Sequence, residues 1–187
     1  MILGLDISTS CTGWCLLDTD GLFVDAGYIP LAKYKDMFSK AQHVENEIKS
    51  IASKKKIISV AIEQNLQSFR SGFSSAQTLS SLARFNGVVS FICFKEMKIK
   101  PNFINVNSAR KLVGMKIQRE KICGVSTKEQ VLQWAIQDLD KSKYPWPKKT
   151  LKSGPRKGIT IQDPACYDIA DAYVIAKSAY IEQFSDI

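Results

Sequence analysis

The sequence lacks the features of a secreted, zinc-binding or membrane protein. Its five cysteines are odd in number and scattered, and no two of them form a C-x-x-C pair, so neither a disulfide framework nor a zinc site is indicated. No apolar run approaches the length of a membrane span, and Met1 leads directly into the apolar stretch ILGLD rather than into a charged signal-type region. We therefore expect a protein of a reducing compartment, cytoplasmic, not secreted and not bound to a membrane.

Acidic residues are also scarce relative to basic ones. The chain has 18 Asp and Glu against 26 Lys and Arg, which gives a net charge of +8. This excess favours a polyanionic partner such as nucleic acid, although many basic proteins bind none. The 187 residues, of which 45% are hydrophobic, are enough for one sizeable core. We expect a single domain over residues 1–187, without internal repeats.

The pattern of apolar residues predicts a chain that mixes strands and helices. Three β-rich runs come first, and the turn sequence DTDG makes residues 13–29 a hairpin, so that these strands run antiparallel. A helix is expected over 32–54 and a buried central strand over 57–64. A long apolar helix, capped by Ser74 or Ser75, follows.

The second half of the chain continues with one more strand and three helices. NFINV is the strand, and NSARKLVG predicts a short helix capped by Asn107 or Ser108. Ser126 and Glu129 predict a capping box at the next helix, and Asp163 is a good cap for the last. This order describes an α/β architecture with a mixed sheet flanked by helices.

Four acidic residues stand where a solvated surface charge is unexpected. Asp6 ends the opening strand, and Glu63 ends the predicted central strand. Asp168 and Asp171 are three residues apart on the last helix, so their Cβ atoms lie about 5–6 Å apart on one face. Carboxylates this close repel each other unless a cation lies between them. Oxygen ligands suit Mg²⁺ or Mn²⁺ rather than zinc, and two such ions about 4 Å apart can promote phosphodiester hydrolysis.

Each of these acids, taken alone, has a simpler explanation. Asp6 lies in GLDISTSCTGW, a stretch that also fits a turn or a phosphate-binding loop. Glu63 could be paired with a lysine, and Asp168 and Asp171 could form an exposed stripe. It is the joint pattern that indicates a metal site.

Six segments in order extend this interpretation: ILGLDISTSCTGW, VAIEQ, ARFNGVVSFIC, NSARKLVG, TKEQV and DIADAYVIA. Over essentially the whole chain they resemble RuvC-like Holliday junction resolvases. The resemblance implies a ribonuclease H-like fold and a metal-dependent endonuclease. It also implies that the enzyme acts as a homodimer and resolves four-way DNA junctions by paired, symmetric nicks.

The resemblance also implies roles for individual residues. Asp6, Glu63, Asp168 and Asp171 are the expected metal-binding and catalytic carboxylates, holding two Mg²⁺ ions per active site, with Mn²⁺ as the alternative. Lys128 of TKEQV stands where the family has a basic residue close to the DNA, and it is expected to contact the scissile phosphate. The alternative is an ordinary solvated lysine on a helix.

The loop after the glutamate departs from the family pattern. The family has an aromatic or apolar residue three positions after this glutamate, near the junction centre, and here that position is Leu66. Phe69 and Phe73 lie farther along the loop, and either could stack on an unpaired base, worth about 1–3 kcal/mol, or pack onto the core. Arg70, between them, is a further candidate DNA contact.

Residues 141–162 form a second departure, with seven basic residues and no acid among prolines and glycines. We expect a loop or flexible insertion, interleaved with Tyr144 and Trp146, that tracks the DNA backbone; the alternative is a solvated loop. The expected DNA contacts are Lys148, Lys149, Lys152, Arg156 and Lys157. This segment and MKIQREKICGVS are longer than in the compact bacterial pattern, which favours a viral, phage or organellar branch.

Three other functions remain open at this point. The chain could cut other branched DNA or flaps, or it could bind junctions without cutting them. GLDISTSCTG also resembles the phosphate loop of actin-like sugar kinases, a fold that needs two lobes and far more residues.

The long helix after residue 75 has more apolar surface than one sheet face needs, which fits dimerisation, with core burial as the alternative.

Overall fold

The computed structural model describes residues 1–64, 75–139 and 142–184; the candidates Phe69, Arg70 and Phe73 lie outside these ranges. The strands are β1 (Ile2–Ile7), β2 (Cys11–Leu17), β3 (Phe23–Pro30), β4 (Ser59–Glu63), β5 (Asn102–Ile104), β6 (Lys148–Thr150) and β7 (Thr160–Gln162). The helices are α1 (Met37–Lys54), α2 (Ala76–Met97), α3 (Val106–Leu112), α4 (Glu120–Cys123), α5 (Thr127–Asp138) and α6 (Ala165–Phe184). None of these helices is both long and apolar enough to cross a membrane.

Five of the strands form one mixed sheet in the order β3-β2-β1-β4-β5. β1, β2 and β3 are antiparallel neighbours, whereas β1, β4 and β5 run parallel. The predicted α/β class with a mixed sheet is thus confirmed. The DTDG turn forms as expected, because the Asp18 carboxylate accepts the backbone N–H groups of Asp20 and Leu22 and Gly21 has a φ of +75°.

The two faces of the sheet carry separate hydrophobic clusters. Along β1, Leu3 and Leu5 face the cluster beneath α1 and α2, and Ile2 faces the cluster beneath α6. The same alternation in β4 sends Val60 to the first face and Ala61 to the second. Since side chains alternate along a strand, Asp6 and Glu63 belong to the α6 face.

The helix α6 packs directly on the sheet because small residues line the contact. A Cβ on Gly4 would lie 2.5 Å from the backbone oxygen of Ala172 and 2.7 Å from the Cβ of Ala176, closer than real contacts allow. Most of α6 is buried on all sides, as expected for an apolar helix inside a layered protein. Its predicted start is confirmed, since Asp163 accepts the N–H of Ala165 at 2.9 Å.

The helix starts show which local predictions were correct. Ser75 caps α2 and Ser126 caps α5, as expected. The helix expected over 32–54 begins later, at Met37, because the Asp36 side chain caps it there.

The cap predicted for α3 was wrong. Asn107 and Ser108 lie inside the helix, and their backbone N–H groups are the ones that the carboxamide oxygen of Asn105 accepts. Asn105 follows β5 directly, so the same residue ends the strand and starts the helix.

The expectation of a loop over 141–162 was wrong at residues 148–150 and 160–162, which form strands, whereas residues 151–159 between them contain no helix or strand. β6 and β7 pair as an antiparallel hairpin, with Lys148 opposite Gln162 and Thr150 opposite Thr160. Tyr144 and Trp146 do not extend among the basic residues but pack against the core cluster beneath α6. The Tyr144 hydroxyl donates to the backbone oxygen of Ala26 at 3.2 Å, which anchors the base of the hairpin to β3.

Candidate active site

The four carboxylates predicted from the sequence line one pocket of about 430 Å³. Asp6 comes from β1 and Glu63 from the adjacent parallel strand β4, each one residue beyond the pair Leu5–Ile62. Asp168 and Asp171 come from the first turns of α6, which crosses that face of the sheet. Three segments that are distant in sequence thus deliver four acids to one place.

Gly13 of β2 permits this approach. It lies opposite Asp6 in the β1–β2 register, and a Cβ at this position would lie 2.0 Å from the backbone oxygen of Asp168. No side chain fits in this space, so only glycine allows the start of α6 to lie against the strand pair. The residue next to Asp6 in the sheet is therefore what brings Asp168 beside it.

Burial raises the pKa values of all four carboxyls, and repulsion between carboxylates adds to this effect at Asp6, Glu63 and Asp168. Desolvation raises the pKa of Asp6 well above its usual range, and Glu63, Asp171 and Asp168 raise it further. Desolvation and the charge of Asp171 raise the pKa of Glu63 to about 7. The pKa values of Asp168 and Asp171 are raised by desolvation as well. A cluster with this electrostatic strain favours positive charge at its centre.

Two basic residues supply part of that positive charge. Lys128, in the first turn of α5, lines the pocket and lowers the pKa values of the four carboxyls. Arg110 of α3 donates from Nη2 to Oδ1 of Asp171 at 3.0 Å. Its Nε is buried and has no hydrogen-bond partner among the residues that the structure describes.

Arg110 and Cys11 were not predicted as site residues. Arg110 is adjacent to the exposed Lys111, and nothing in the local sequence separates the two; only the rotation of α3 turns Arg110 inward. Cys11 lies close enough to Asp168 for the two groups to interact electrostatically. Burial and the charge of Asp168 raise the pKa of Cys11 above its ordinary value, so the thiol is neutral.

The turn after Asp6 is closed by its own hydroxyl groups. The Ser8 hydroxyl accepts the backbone N–H of Cys11 at 3.1 Å and donates to the Cys11 backbone oxygen at 2.7 Å. Ser8 and Ser10 line the pocket at its rim. The small residues of GLDISTSCTGW therefore build the β1–β2 turn.

The donor set fits hard divalent cations. Four carboxylates provide oxygen ligands only, and their raised pKa values show that they need compensating charge. Among the described residues, no three His, Cys, Asp or Glu side chains already converge on a single point as a closed metal site. Arg110 holds Asp171 in an ion pair, so one of the four carboxylates already has a cationic partner.

The β6–β7 hairpin leads directly into the helix that carries Asp168 and Asp171. Asp163, which follows β7 directly, caps the helix that carries Asp168, and its backbone N–H donates to the Pro147 oxygen at 2.9 Å. All five predicted DNA contacts of the hairpin are exposed: Lys148, Lys149, Lys152, Arg156 and Lys157.

Comparison with known proteins identifies the fold. No protein-family model matches the chain, and no curated protein sequence matches it. Among solved structures, RuvC of Thermus thermophilus in complex with a Holliday junction substrate matches 97% of this chain and 94% of its own, at 13% identity and a TM-score of 0.62. A further structure of the T. thermophilus protein matches 98% and 96%, at 16% identity and a TM-score of 0.58.

A third structure widens the comparison. The yeast mitochondrial Holliday junction resolvase Ydc2 covers 99% of this chain and 81% of its own, at 14% identity and a TM-score of 0.52. Identities this low establish the fold and not the activity.

Proposed function

We propose that this chain, which has the RuvC-like resolvase fold, is a divalent-metal-dependent endonuclease that cuts four-way DNA junctions. The observation that carries the proposal is that four carboxylates from β1, β4 and α6 line a single pocket with two cations. A surface stripe or a strand-end turn does not explain this convergence, because the four acids come from three segments that are distant in sequence.

The four carboxylates would hold the metal: Asp6, Glu63, Asp168 and Asp171. When bound, a pair of Mg²⁺ or Mn²⁺ ions would activate a water and stabilise the leaving oxygen of a phosphodiester. Their positive charge would also offset the burial and the mutual repulsion that raise the pKa values of Asp6 and Glu63. The metal is therefore expected to order the site as well as to support the reaction.

Lys128 and Arg110 would bind the phosphate that is cut. Both are cations at the pocket wall, and the Nε of Arg110 has no partner within the described residues. Charge-assisted hydrogen bonds to phosphate oxygens orient the phosphodiester and offset the charge that develops during hydrolysis. Leu79 and Leu82 of α2 close one side of the pocket and limit the access of water.

Contacts with the DNA arms would come from the β6–β7 hairpin and from the segment after Glu63. Lys148, Lys149, Lys152 and the tip residues Arg156 and Lys157 supply positive charge without a neighbouring acid. Phe69, Arg70 and Phe73 remain candidates for contacts at the junction centre. The symmetry of a four-way junction requires two active sites, so we propose that the chain acts as a homodimer.

The decisive experiment compares wild-type protein with Glu63→Gln on labelled four-way, three-way, flap and linear duplex DNA in the presence of Mg²⁺. The wild type is expected to nick the four-way junction at symmetric positions on two strands. Glu63→Gln keeps the shape of the side chain but removes its charge, so it should abolish cleavage and preserve junction binding. Glu47→Gln, at an exposed position of α1, is the matched control and should cut normally.

Three results would contradict the proposal. Retained nicking by Glu63→Gln in Mg²⁺ would show that the carboxylates are not the metal site. Preferential cleavage of three-way or flap DNA would show that the substrate is another kind of branched DNA. Tight junction binding without cleavage would show that the protein binds junctions and does not cut them.

A further inference from the structure

A second cleft, of about 350 Å³, lies beside the candidate active site, on the side of the β1–β2 turn that faces α1 and α2. It is formed by the turn itself, by the segment that leads into α1 and by the first half of α2. Its lining residues are Thr9, Lys35, Met37, Lys40, Ser81, Arg84 and Phe85. None of the four catalytic carboxylates lines it.

The polar groups of this cleft are those of an anion site. Lys35, Lys40 and Arg84 bring three positive charges together, and Thr9 and Ser81 add hydroxyl groups. No acidic residue is among the lining residues, and within the described ranges neither Lys35 nor Arg84 forms a salt bridge. Three cations around one cavity repel each other, and an anion with several acceptor oxygens removes that repulsion.

The acid closest in sequence does not neutralise the cleft. The carboxylate of Asp36 accepts the backbone N–H of Ser39 at 2.9 Å and the Ser39 hydroxyl at 2.6 Å. These hydrogen bonds lower the pKa of Asp36 and commit its two oxygens to the start of α1. The positive charge of Lys35 is therefore left to an external partner.

The cleft and the active site share one structural element. Nζ of Lys40 donates to the backbone oxygen of Thr9 at 2.6 Å, which fixes the β1–β2 turn from the cleft side. Ser8 and Ser10, on either side of Thr9, line the carboxylate pocket. The turn therefore separates the two sites, so a DNA strand that leaves one site can enter the other.

The spacing of the two sites limits which ligand can bridge them. Thr9 follows Asp6 by three residues, so their Cα atoms are at most about 11 Å apart. A nucleic-acid strand rises about 3.4 Å per nucleotide. A phosphate in the cleft would thus lie within about four linkages of the phosphate at the carboxylates.

We infer that this cleft is a second phosphate site, which binds one backbone phosphate of the DNA strand that is cut, within about four linkages of the cut. This inference rests on the proposed function for the identity of the polyanion. Lys35 and Arg84 bind the phosphate, and Lys40 fixes the position of the β1–β2 turn beside it. The site fixes the register of the strand, so that a single phosphodiester faces the carboxylates.

The test pairs protein variants with DNA that lacks one charge. Four-way junctions carry one uncharged methylphosphonate linkage, moved stepwise through about four linkages on either side of the phosphodiester that is cut. Binding is measured without divalent metal for the wild type, for Lys35→Gln/Arg84→Gln, and for a control with the same change of charge, Lys33→Gln/Lys100→Gln. All four substituted residues are exposed, and circular dichroism verifies the fold of both variants.

At one linkage, the methylphosphonate should weaken the binding of the wild type about tenfold. It should weaken the binding of Lys35→Gln/Arg84→Gln by no more than about twofold, because this variant has already lost the cations that contact the phosphate. The control variant should respond like the wild type. The inference would be overturned if, at every linkage, the methylphosphonate weakened the binding of Lys35→Gln/Arg84→Gln as much as that of the wild type. It would also be overturned if this variant responded like the control variant.

This outcome is separate from that of the nuclease test. If one methylphosphonate weakens the wild type but not Lys35→Gln/Arg84→Gln, the phosphate site is supported even if Glu63→Gln still cuts. If every methylphosphonate weakens both proteins equally, the phosphate site is rejected even if Glu63→Gln is inactive. The single variants Lys35→Gln and Arg84→Gln repeat the measurement should the double variant fail to fold.

Discussion

Arg110 of α3 holds Asp171 of α6 in an ion pair of 3.0 Å inside the candidate active site. Both side chains are largely buried, with 15% and 10% of their surfaces exposed. A charge pair in such surroundings is costly to break on one side only, because the remaining charge is left desolvated. The pair therefore links the position of α3 to the electrostatics of the four carboxylates.

Replacing Arg110 with Gln should reduce junction cleavage strongly, by about 100-fold or more, because a buried charge that contacts the reacting phosphate contributes about 2.7–4 kcal/mol. Lys111→Gln, one residue away and exposed, should have little effect. Cleavage rates at saturating Mg²⁺ and DNA make the comparison. Equal rates for the two variants would show that Arg110 only supports the structure.

Replacing Gly13 with Ala should damage both stability and activity. The new Cβ would lie 2.0 Å from the backbone oxygen of Asp168, so α6 must shift, at a cost of about 1–3 kcal/mol or more. Urea denaturation measures this loss. In a Mg²⁺ titration of cleavage, the same variant should need a higher Mg²⁺ concentration to reach half of its maximal rate. Gly87→Ala is the control, because a Cβ there meets no atom within 4 Å and stabilises a helix by about 0.5–1 kcal/mol.

The hairpin prediction concerns salt dependence. If Lys148, Lys149 and Lys152 contact DNA phosphates, changing all three to Gln should reduce the slope of log affinity against log salt by about 0.9 per lost contact. Lys54→Gln/Lys55→Gln/Lys56→Gln removes the same charge at the end of α1, where the chain enters the opposite end of β4. A gel-shift salt series that gives identical slopes for the two triple variants rejects the hairpin as a DNA contact.

The homodimer prediction rests on two exposed aromatic residues of α2. Phe91 and Phe94 are 63% and 47% exposed, three residues apart and thus on one face of the helix. Changing both to Ser should convert a dimer into monomers in sedimentation equilibrium. Phe38→Ser, at an 80% exposed position of α1, should leave the dimer intact. A wild-type protein that sediments as a monomer contradicts the prediction.

An acid-stability prediction follows from the contact between α5 and α6. Burial alone raises the pKa of Asp138, but hydrogen bonds from Lys177 and Tyr173 outweigh it and lower the pKa below its ordinary value. The charged form is thus favoured in the folded state, so its contribution is complete above about pH 4 and is lost as the pH falls through the lowered pKa.

Asp138→Asn should therefore destabilise the protein by about 0.5–1 kcal/mol at neutral pH, a modest value because the pair is partly exposed. Below about pH 3 the difference from the wild type should shrink. Urea denaturation at both pH values provides the measurement, and Lys177→Met should show the same convergence. A difference that stays constant with pH would assign the effect to packing.

Local signals in the chain predicted most of the elements. Strands β1 to β4, the DTDG turn and the caps Ser75, Ser126 and Asp163 follow from periodicity and from side chains that bond within a few residues. The wrong predictions were also local: Asn105 rather than Asn107 or Ser108 caps α3, and residues 148–162 form a hairpin. Several neighbouring residues can cap the same helix, and polar strands lack the apolar alternation that identifies a strand.

By itself, the sequence determined which four acids are the candidate metal ligands and on which face of the sheet two of them lie. Alternation along β1 and β4 puts Asp6 and Glu63 on one side of the sheet, and helical spacing puts Asp168 beside Asp171. Only the tertiary structure decided that α6 lies across those strand ends through Gly4 and Gly13, that Arg110 turns inward, and that Lys35, Lys40 and Arg84 share a cleft. Periodicity records the direction of a side chain within its own element, whereas these contacts depend on how elements distant in sequence pack together.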